Sequence, residues 1–239
     1  MQSGTAEALA AEFTTYLWDM PGYGASSKDP GHAVSLDVQG ELLTDLLGRW
    51  DLRAPHVVAH DYGGAVALRA RLLHGARFAS LALADVVALA PWGSDFFRLV
   101  RDHHEVFIQL PATVHAAALR AYIASASYAG LTTDQVGNLA DPWLRRGRPS
   151  GLLSPDRPGR PGLYRCRRAP LPSVGLPTLI VWGEQDRWIP VDRARRLAGL
   201  IPGARLELIA AAGHLVQLDQ PVALATTLHR WLGDIARLR

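Results

Sequence analysis

The sequence predicts an α/β protein in which a mostly parallel sheet is flanked by helices and interrupted by an inserted helical cap. Three observations lead to this prediction. Strand-like and helix-like stretches alternate over residues 14–87, the alternation resumes at residue 176, and the segment between them looks helical. Such alternation is typical of parallel sheets, whose strands are joined by crossover helices. With 239 residues, 49% of them hydrophobic, the chain can build one large core that carries an inserted cap.

The first part of the core is predicted over residues 1–87. Its elements, in chain order, are a helix over 6–13, a strand over 14–19, a helix over 35–50, a strand over 55–60, a helix over 63–75 and a strand over 78–87. Apolar residues at 3.6-residue spacing, such as Leu43 and Leu47, indicate the helix over 35–50. Gly75 marks the end of the helix over 63–75, because glycine commonly follows a helix C-terminus.

The alternation lapses at residues 88–170, which we predict to be the cap. Helices are predicted over 95–110 and 115–130, on either side of Pro111. The second part of the core, residues 171–239, begins with a strand over 176–183. A helix over 191–201, a strand over 204–210 and an amphipathic helix from Pro221 onward complete it.

Residues 145–170 form an irregular segment whose composition differs from that of the rest of the chain. Of its 26 residues 17 are Arg, Pro or Gly, and eight Arg against one Asp give it a net charge of +7. The remainder of the chain has a net charge of −4, so the basic character belongs to this segment alone. We interpret it as a solvated or disordered loop, or as the product of a local frameshift in a GC-rich gene. A nucleic-acid-binding arm would need interleaved aromatic residues, which it lacks.

The sequence carries no sign of export, membrane insertion or metal binding. It lacks an N-terminal signal-peptide pattern, and no apolar run reaches the roughly 18 residues of a membrane span. The single Cys166 fits a reducing compartment. The histidines of DHHE (102–105) are adjacent and do not share a helix face, which argues against metal ligation. We expect a cytoplasmic protein without metal, membrane or nucleic-acid partners, and the oligomeric state stays open.

The stretch VVAHDYGGAV (57–66) places an acid at the junction of a strand and a helix. Gly63 and Gly64 would let the chain turn sharply after Asp61, and a helix N-terminus favours an anion. This arrangement predicts a nucleophile elbow with Asp in place of the usual Ser. The alternative interpretation is an Asp that caps the helix.

Two further polar residues follow predicted strands in the same way. Asp186 comes just after the strand TLIVWG, and His214 just after the strand ARLELIA. The carboxyl ends of parallel strands form the ligand crevice of an open sheet. The order nucleophile, acid, base is that of α/β-hydrolases, so we predict a triad of Asp61, Asp186 and His214.

Four motifs together resemble the α/β-hydrolase superfamily, and within it the branch of epoxide hydrolases and haloalkane dehalogenases. They are DMPGYGASS (19–27), AHDYGG (59–64), WGEQDRWIP (182–190) and AGHLVQLDQP (212–221). The resemblance implies an α/β-hydrolase fold, with Asp61 as nucleophile, Asp186 as charge-relay acid and His214 as general base. It implies no cofactor and a small apolar substrate.

The chemistry of a carboxylate explains why an Asp could serve as nucleophile. It is ionised at neutral pH and can attack the carbon of an epoxide or a carbon–halogen bond, which forms an alkyl ester. Water activated by His214 would then hydrolyse the ester, while the backbone N–H of Tyr62 stabilises the oxyanion. Attack on an acyl carbon would instead give a high-energy anhydride, which argues against an esterase.

Other residues are weaker candidates for substrate binding. The resemblance suggests cap tyrosines as donors to an epoxide oxygen and tryptophans as donors to a halide, and the choice between these substrates stays open. The candidates are His60, Trp92, Tyr122, Tyr128, Trp143 and Tyr164. His60 is expected to be structural, Asp219 to begin the last helix, and Ser26 and Ser27 to pack in a loop.

The N-terminal part departs from the family pattern. The family has strands before YLWDMPGYG and an HGxP-like loop that supplies a second oxyanion donor, and neither is recognisable here. The loss of one such donor can cost roughly 10²–10³ in rate. The sequence therefore also allows a second prediction, of a truncated paralogue whose triad is present but catalytically impaired.

Overall fold

The structure is a computed structural model that describes residues 3–27, 29, 32, 34–144 and 171–237. The irregular segment predicted at 145–170, with Tyr164 and the frameshift hypothesis, lies outside the described residues. The described helices and strands alternate in the order expected for an α/β core.

Ten α-helices and four strands are described. Before the cap they are α1 (Ser3–Leu9), α2 (Leu36–Arg49), β1 (His56–His60), α3 (Tyr62–Leu73) and β2 (Ser80–Ala84). The next four helices are α4 (Asp95–Asp102), α5 (His104–Phe107), α6 (Ala112–Ala124) and α7 (Thr133–Leu144). The rest are β3 (Thr178–Gly183), α8 (Asp192–Leu200), β4 (Arg205–Ile209), α9 (Val216–Asp219) and α10 (Pro221–Arg237).

The described strands form one parallel sheet in the order β1-β2-β3-β4. Its register pairs His60 with Ala84 and Gly183 with Ile209, so the strands end at one common edge. The loops that carry Asp61, Asp186 and His214 leave from this edge. The predicted fold class is confirmed, and the sheet brings the three predicted triad loops to the same side of the molecule.

Helices cover both faces of the sheet, because both sets of alternating side chains are apolar. Leu83, Ile180 and Trp182 pack with α2, α3 and α8 on one face. Val181 and Ala84 pack with α1 and α10 on the other face. All residues of β2 and β3 are buried, which explains why their sequences are continuous apolar runs instead of alternating ones.

Helices α4 to α7 lie between β2 and β3 in the chain and share a small core of their own. Its buried residues are Val100, Leu119, Tyr122, Ile123 and Ala140. The helix predicted over 95–110 is divided into α4 and α5, and the helix predicted over 115–130 ends at Ala124. The hydroxyl of Ser125 donates to the Tyr122 carbonyl at 2.6 Å, competing with continued helix. Residues 125–129, here called the cap loop, therefore leave the helix.

The strand predicted over residues 14–19 is wrong. These residues pair with no described strand, and all except Trp18 are exposed. Aromatic and β-branched residues favour a strand only when a neighbouring strand supplies the ladder. Strand β1 consequently lies at the edge of the described sheet, where Val58 is 39% exposed.

No helix of the described residues combines the length and the apolar character that a membrane crossing requires.

Candidate active site

Asp61 occupies a strained turn between β1 and α3. Its backbone has φ 48° and ψ −122°, a conformation that side-chain-bearing residues rarely adopt. The carbonyl of Asp61 accepts from Gly64 N–H at 3.1 Å and from Val87 N–H at 3.0 Å. These bonds hold the turn, and they lift Asp61 above the sheet edge as a nucleophile elbow requires.

The two glycines have a different role from the one predicted. Neither Gly63 nor Gly64 is in the left-handed region, so the strain falls on Asp61 itself. A Cβ on Gly64 would collide with the side chain of Val86, whereas a Cβ on Gly63 would meet nothing within 4 Å. Gly64 therefore permits close packing of α3 against the chain that follows β2.

Asp186 is buried and surrounded by donors. Its Oδ1 accepts from the backbone N–H groups of Trp188 at 2.7 Å and Ile189 at 2.9 Å. Its Oδ2 lies 2.9 Å from Nδ1 of His214, which donates to it. The bond fixes the tautomer and the orientation of the imidazole ring.

His214 lies between the two acids. Its side chain is 1% exposed, and its Nε2 is 3.6 Å from Oδ1 of Asp61. The indole of Trp188 stacks on the imidazole with ring centroids 4.9 Å apart. The structure thus brings together the three residues that the sequence singled out.

Electrostatics favour an ion pair between His214 and the acids. Burial by itself would lower the pKa of His214, but the charge of Asp186, its hydrogen bond to Nδ1 and the charge of Asp61 raise it well above the usual value. Burial would by itself raise the pKa of Asp61, but the nearby imidazoles of His214 and His60 outweigh burial and lower it. The backbone N–H of Tyr62 acts on the Asp61 carboxylate in the same direction. Asp61 is consequently ionised at neutral pH.

His60 supports the loop of His214. Its Nε2 donates to the His214 carbonyl at 2.8 Å, and the two rings are 4.9 Å apart. Burial, followed by the charge of His214, lowers the pKa of His60 to about 4. A neutral imidazole with its proton committed to a carbonyl fits the structural role expected for His60.

Asp85 is a buried acid that the sequence reasoning missed. It follows β2 directly, and its Oδ1 accepts from Gly183 N–H at 2.8 Å. Burial and the negative charge of Asp186 raise the pKa of Asp85 well above its usual value. The strand predicted over 78–87 placed Asp85 inside a strand, whereas β2 ends at Ala84, so that Asp85 follows its strand just as Asp61 does.

A cavity of about 1260 Å³ opens above Asp61. It exceeds the roughly 300–1,000 Å³ of common ligand sites because it continues along the outer side of β1 to residues 14–20. Of the predicted binding residues, His60, Trp92, Tyr122 and Trp143 line it, and so does Tyr62, the predicted oxyanion donor. Tyr128 is 50% exposed and is not among the residues that line this cavity.

Tyr122, on α6, is linked to His214 through Trp188, whose indole stacks on both rings. Its hydroxyl is 2.8 Å from Oγ of Ser94, and its ring stacks on Trp188 at 4.0 Å with an interplanar angle of 6°. Burial raises the pKa of Tyr122, so the hydroxyl keeps its proton at neutral pH. Trp188 was missed by the sequence reasoning, although it lies within the motif WGEQDRWIP.

The remaining candidates lie outside the triad. Ser26 donates to the Asp19 carbonyl and Ser27 contacts His32, which fits packing within a loop. Asp219 ends α9 instead of beginning α10. Among the described residues, no group of three or more His, Cys, Asp or Glu could hold a metal ion.

Comparisons with known proteins give the same fold. A profile of the "Alpha/beta hydrolase family" matches residues 3–227. An alpha/beta hydrolase fold protein from Burkholderia ambifaria is 38% identical with a TM-score of 0.73, over 88% of this chain and 77% of that one. A meta-cleavage product hydrolase from Pseudomonas fluorescens IP01 has a TM-score of 0.80 over 98% of this chain and 84% of that one; at 18% identity it shows the fold alone.

Among curated proteins, the chain is similar to a hydrolase from Cupriavidus pinatubonensis. That protein is named 2-hydroxy-6-oxononadienedioate/2-hydroxy-6-oxononatrienedioate hydrolase. The two are 24% identical over 232 residues, which is 95% of this chain and 78% of the relative.

Proposed function

Because the chain belongs to the alpha/beta hydrolase family, we propose that it opens an epoxide, or cleaves a carbon–halogen bond, through a covalent ester on Asp61. The relationship supports a hydrolase over the catalytically impaired paralogue that the sequence also allowed. The choice of bond rests on the identity of the nucleophile, which is an Asp.

One observation carries the proposal: the Asp61 carboxylate occupies the elbow and lies 3.6 Å from Nε2 of a buried His214. A carboxylate needs no base to activate it, since it is already ionised. In this arrangement, the histidine is free to act on water after the ester has formed.

In the first step, an oxygen of Asp61 attacks an epoxide carbon and the ring C–O bond breaks. The Tyr122 hydroxyl is a candidate hydrogen-bond donor to the departing oxygen, because burial keeps this hydroxyl protonated. Protonated His214 supplies the proton that converts the alkoxide to an alcohol. With a haloalkane substrate, the leaving halide takes no proton, so His214 must release its proton to solvent before the second step. The lost charge of Asp61 favours this release, because that charge raises the pKa of His214.

In the second step, neutral His214 takes a proton from water and the hydroxide attacks the ester carbonyl. The oxyanion forms on the second carboxyl oxygen of Asp61, which the backbone N–H of Tyr62 is placed to stabilise. Collapse of this intermediate breaks the ester C–O bond, and the departing alkoxide takes the proton of the added hydroxyl group to become the alcohol. Asp61 returns as a carboxylate and His214 as an imidazolium, so the cycle closes with one water consumed.

The cavity favours an apolar, ring-bearing substrate. The wall of the cavity that contains Asp61 includes several aromatic residues, among them Trp92, Phe97, Tyr122 and Trp143. Aromatic faces offer a substrate large apolar contact areas. The same wall contains the two tryptophans, Trp92 and Trp143, that a departing halide would use.

Carbon–carbon bond hydrolysis is a second candidate. It is favoured by the similarity to the 2-hydroxy-6-oxononadienedioate hydrolase of Cupriavidus pinatubonensis. It would demand that water, instead of Asp61, attack the substrate carbonyl, because an acyl group on Asp61 would be an anhydride. The two candidates therefore predict different covalent states of Asp61.

The intact mass of the His214→Gln variant tests the proposal. This variant lacks the base that ester hydrolysis needs, so a stable adduct is expected after incubation with a primary haloalkane, whose alkylation step does not use His214. With styrene oxide an adduct is expected to form more slowly, because water must replace His214 as the proton source for the alkoxide. A gain of the whole epoxide mass selects the epoxide, and a gain of the alkyl group alone selects the halide. The double variant Asp61→Asn/His214→Gln is the control and should gain no mass.

A folded His214→Gln protein without any adduct would contradict the proposal. Turnover of a 2-hydroxy-6-oxo-dienoate by native protein, retained in Asp61→Asn, would instead establish the second candidate.

A further inference from the structure

Asp219 joins the loop of the catalytic base to the cap. Its Oδ2 accepts from the N–H of Gly213, the neighbour of His214, at 2.7 Å, and from the N–H of Tyr128 at 2.8 Å. Its Oδ1 accepts from the Ser127 hydroxyl and from the N–H of Ala129 at 3.4 Å. One carboxylate thus receives four donors, three of them from the cap loop.

We propose that Asp219 is a positioning residue that fixes His214 against Asp61 and Asp186 by tying the base loop to the cap loop. The inference uses the role of His214 in the proposed function. Charge-assisted hydrogen bonds to a carboxylate are shorter and stronger than those between neutral groups. The hydrogen bonds of Asp219 are therefore suited to fix the position of one loop relative to the other.

The two loops are also in direct backbone contact. The N–H of Leu215 donates to the Ala126 carbonyl at 3.2 Å. A Cβ on Gly213 would lie 2.7 Å from that same carbonyl oxygen and 2.9 Å from the nitrogen of Tyr128. Both neighbours of His214 in the chain therefore rest on the cap loop, and a glycine is required at 213 for this approach.

A third contact reaches the base through Trp188. Its indole Nε1 donates to Oγ of Ser125, the first residue of the cap loop, at 3.0 Å. The same indole stacks on the imidazole of His214. The cap loop thus supports the base from its backbone and from one face of its ring.

Loss of the carboxylate at 219 leaves this junction without a common acceptor. The side chain of Asn has one acceptor oxygen instead of two. Its NH₂ group is a donor, so it cannot accept hydrogen bonds from the backbone N–H groups that it would face. Gly213 would shift, and the imidazole would turn relative to the Asp61 ester. A displacement of about 1 Å can cost up to about 10²-fold in rate.

The two half-reactions should respond differently. Formation of the ester from a haloalkane uses the Asp61 carboxylate, whereas its hydrolysis needs the imidazole correctly placed. In Asp219→Asn we expect hydrolysis to slow by about 10–10²-fold and the ester to accumulate during turnover, with alkylation changed less. A variant that was merely less stable would lose both half-reactions in proportion.

The deciding experiment needs no substrate. The Nδ1 proton of His214, bonded to Asp186, should give a downfield proton NMR resonance, which is assigned by its loss in His214→Gln. We expect this resonance to shift or to broaden by faster exchange in Asp219→Asn. The control is Asp192→Asn, which removes an exposed acid on α8 and should leave the resonance unchanged.

The Ser127→Ala variant provides a second readout. It removes one of the four donors and keeps the carboxylate, so a smaller change in the same direction is expected. If Asp219→Asn folds and its resonance does not shift, the proposal is overturned. If Asp219→Asn does not fold, an unshifted resonance in Ser127→Ala overturns it. Failure to find epoxide or halide turnover would leave this NMR result intact, so the two proposals fail separately.

Discussion

At the centre of the site, the imidazole of His214 lies between two carboxylates, with Nδ1 2.9 Å from Asp186 and Nε2 3.6 Å from Asp61. In the proposed mechanism, esterification would remove the charge of Asp61, which is one of the causes that raise the pKa of His214. The pKa of His214 would therefore fall when the ester forms, which favours the neutral imidazole that has to activate water.

This coupling predicts the effect of Asp61→Asn on His214. The substitution imitates the uncharged ester, so the pKa of His214 should fall relative to the native protein, because the charge of Asp61 raises it. Proton NMR titration of the imidazole would measure the change. A pKa of His214 that rises or stays constant would contradict the coupling.

At the level of single residues, the sequence predicted the triad but not its surroundings. Asp61, Asp186 and His214 could be found because each follows a strand in a recognisable motif. Asp219 lies in such a motif too, yet its role depends on a cap loop about 90 residues away in the chain. Trp188 acts through stacking on two rings, which spacing along the sequence does not encode.

Among the elements, the junction of α3 with the chain after β2 is the most tightly packed part of the elbow. Gly64→Ala should lower the free energy of unfolding by about 1–3 kcal/mol, the usual cost of overpacking, since the new methyl group meets Val86. Gly63→Ala is the matched control, because space is open there and Ala favours a helix by up to about 1 kcal/mol. Urea unfolding would measure both variants, and equal effects would refute the packing argument.

The strand predicted over 14–19 is wrong, and it differs from β2 and β3 in having no neighbouring strand to pair with among the described residues. SLALA and TLIVWG are apolar on both faces and find partners on both sides. TTYLWD has strand-forming residues but no described partner. Propensity identifies a candidate strand, and pairing decides whether it forms.

On the scale of the whole molecule, the stability should fall as the pH rises because of Asp85. In the unfolded chain this acid ionises near pH 4, whereas burial and the charge of Asp186 hold its proton in the folded protein. The folded state thus binds more protons above pH 4, and the free energy of unfolding declines by at most about 1.4 kcal/mol per pH unit. His214, whose pKa is also raised, adds a decline above its unfolded pKa of about 6.5.

The Asp85→Asn variant isolates the contribution of Asp85. An amide preserves the shape and a donor toward Asp186 but does not titrate, so its stability should depend less on pH between 5 and 8. Urea unfolding of both proteins at pH 5, 6, 7 and 8 would measure the difference. Parallel curves for the two proteins would show that Asp85 is ionised in the fold.

The edge of the described sheet predicts self-association. Strand β1 presents its outer side along the cavity, and an unpaired edge is a template for another strand. Val58→Lys should reduce concentration-dependent association, since charged side chains on an edge oppose pairing. Analytical ultracentrifugation would measure it, with Val222→Lys, at an exposed site on α10, as control. An equal reduction in both would indicate general solubility instead of edge pairing.

The contacts of the cap loop with Gly213, Leu215 and Trp188 limit which residues can be replaced when the cap is exchanged for that of another protein. Caps are attractive modules for exchange, because they lie between two strands and contribute much of the substrate pocket. A chimera that replaced every residue between β2 and β3 would also discard residues 125–129, on which the base loop rests. Grafts that retain this loop, or that change the acid at 219 together with it, are the exchanges that should preserve turnover while altering substrate choice.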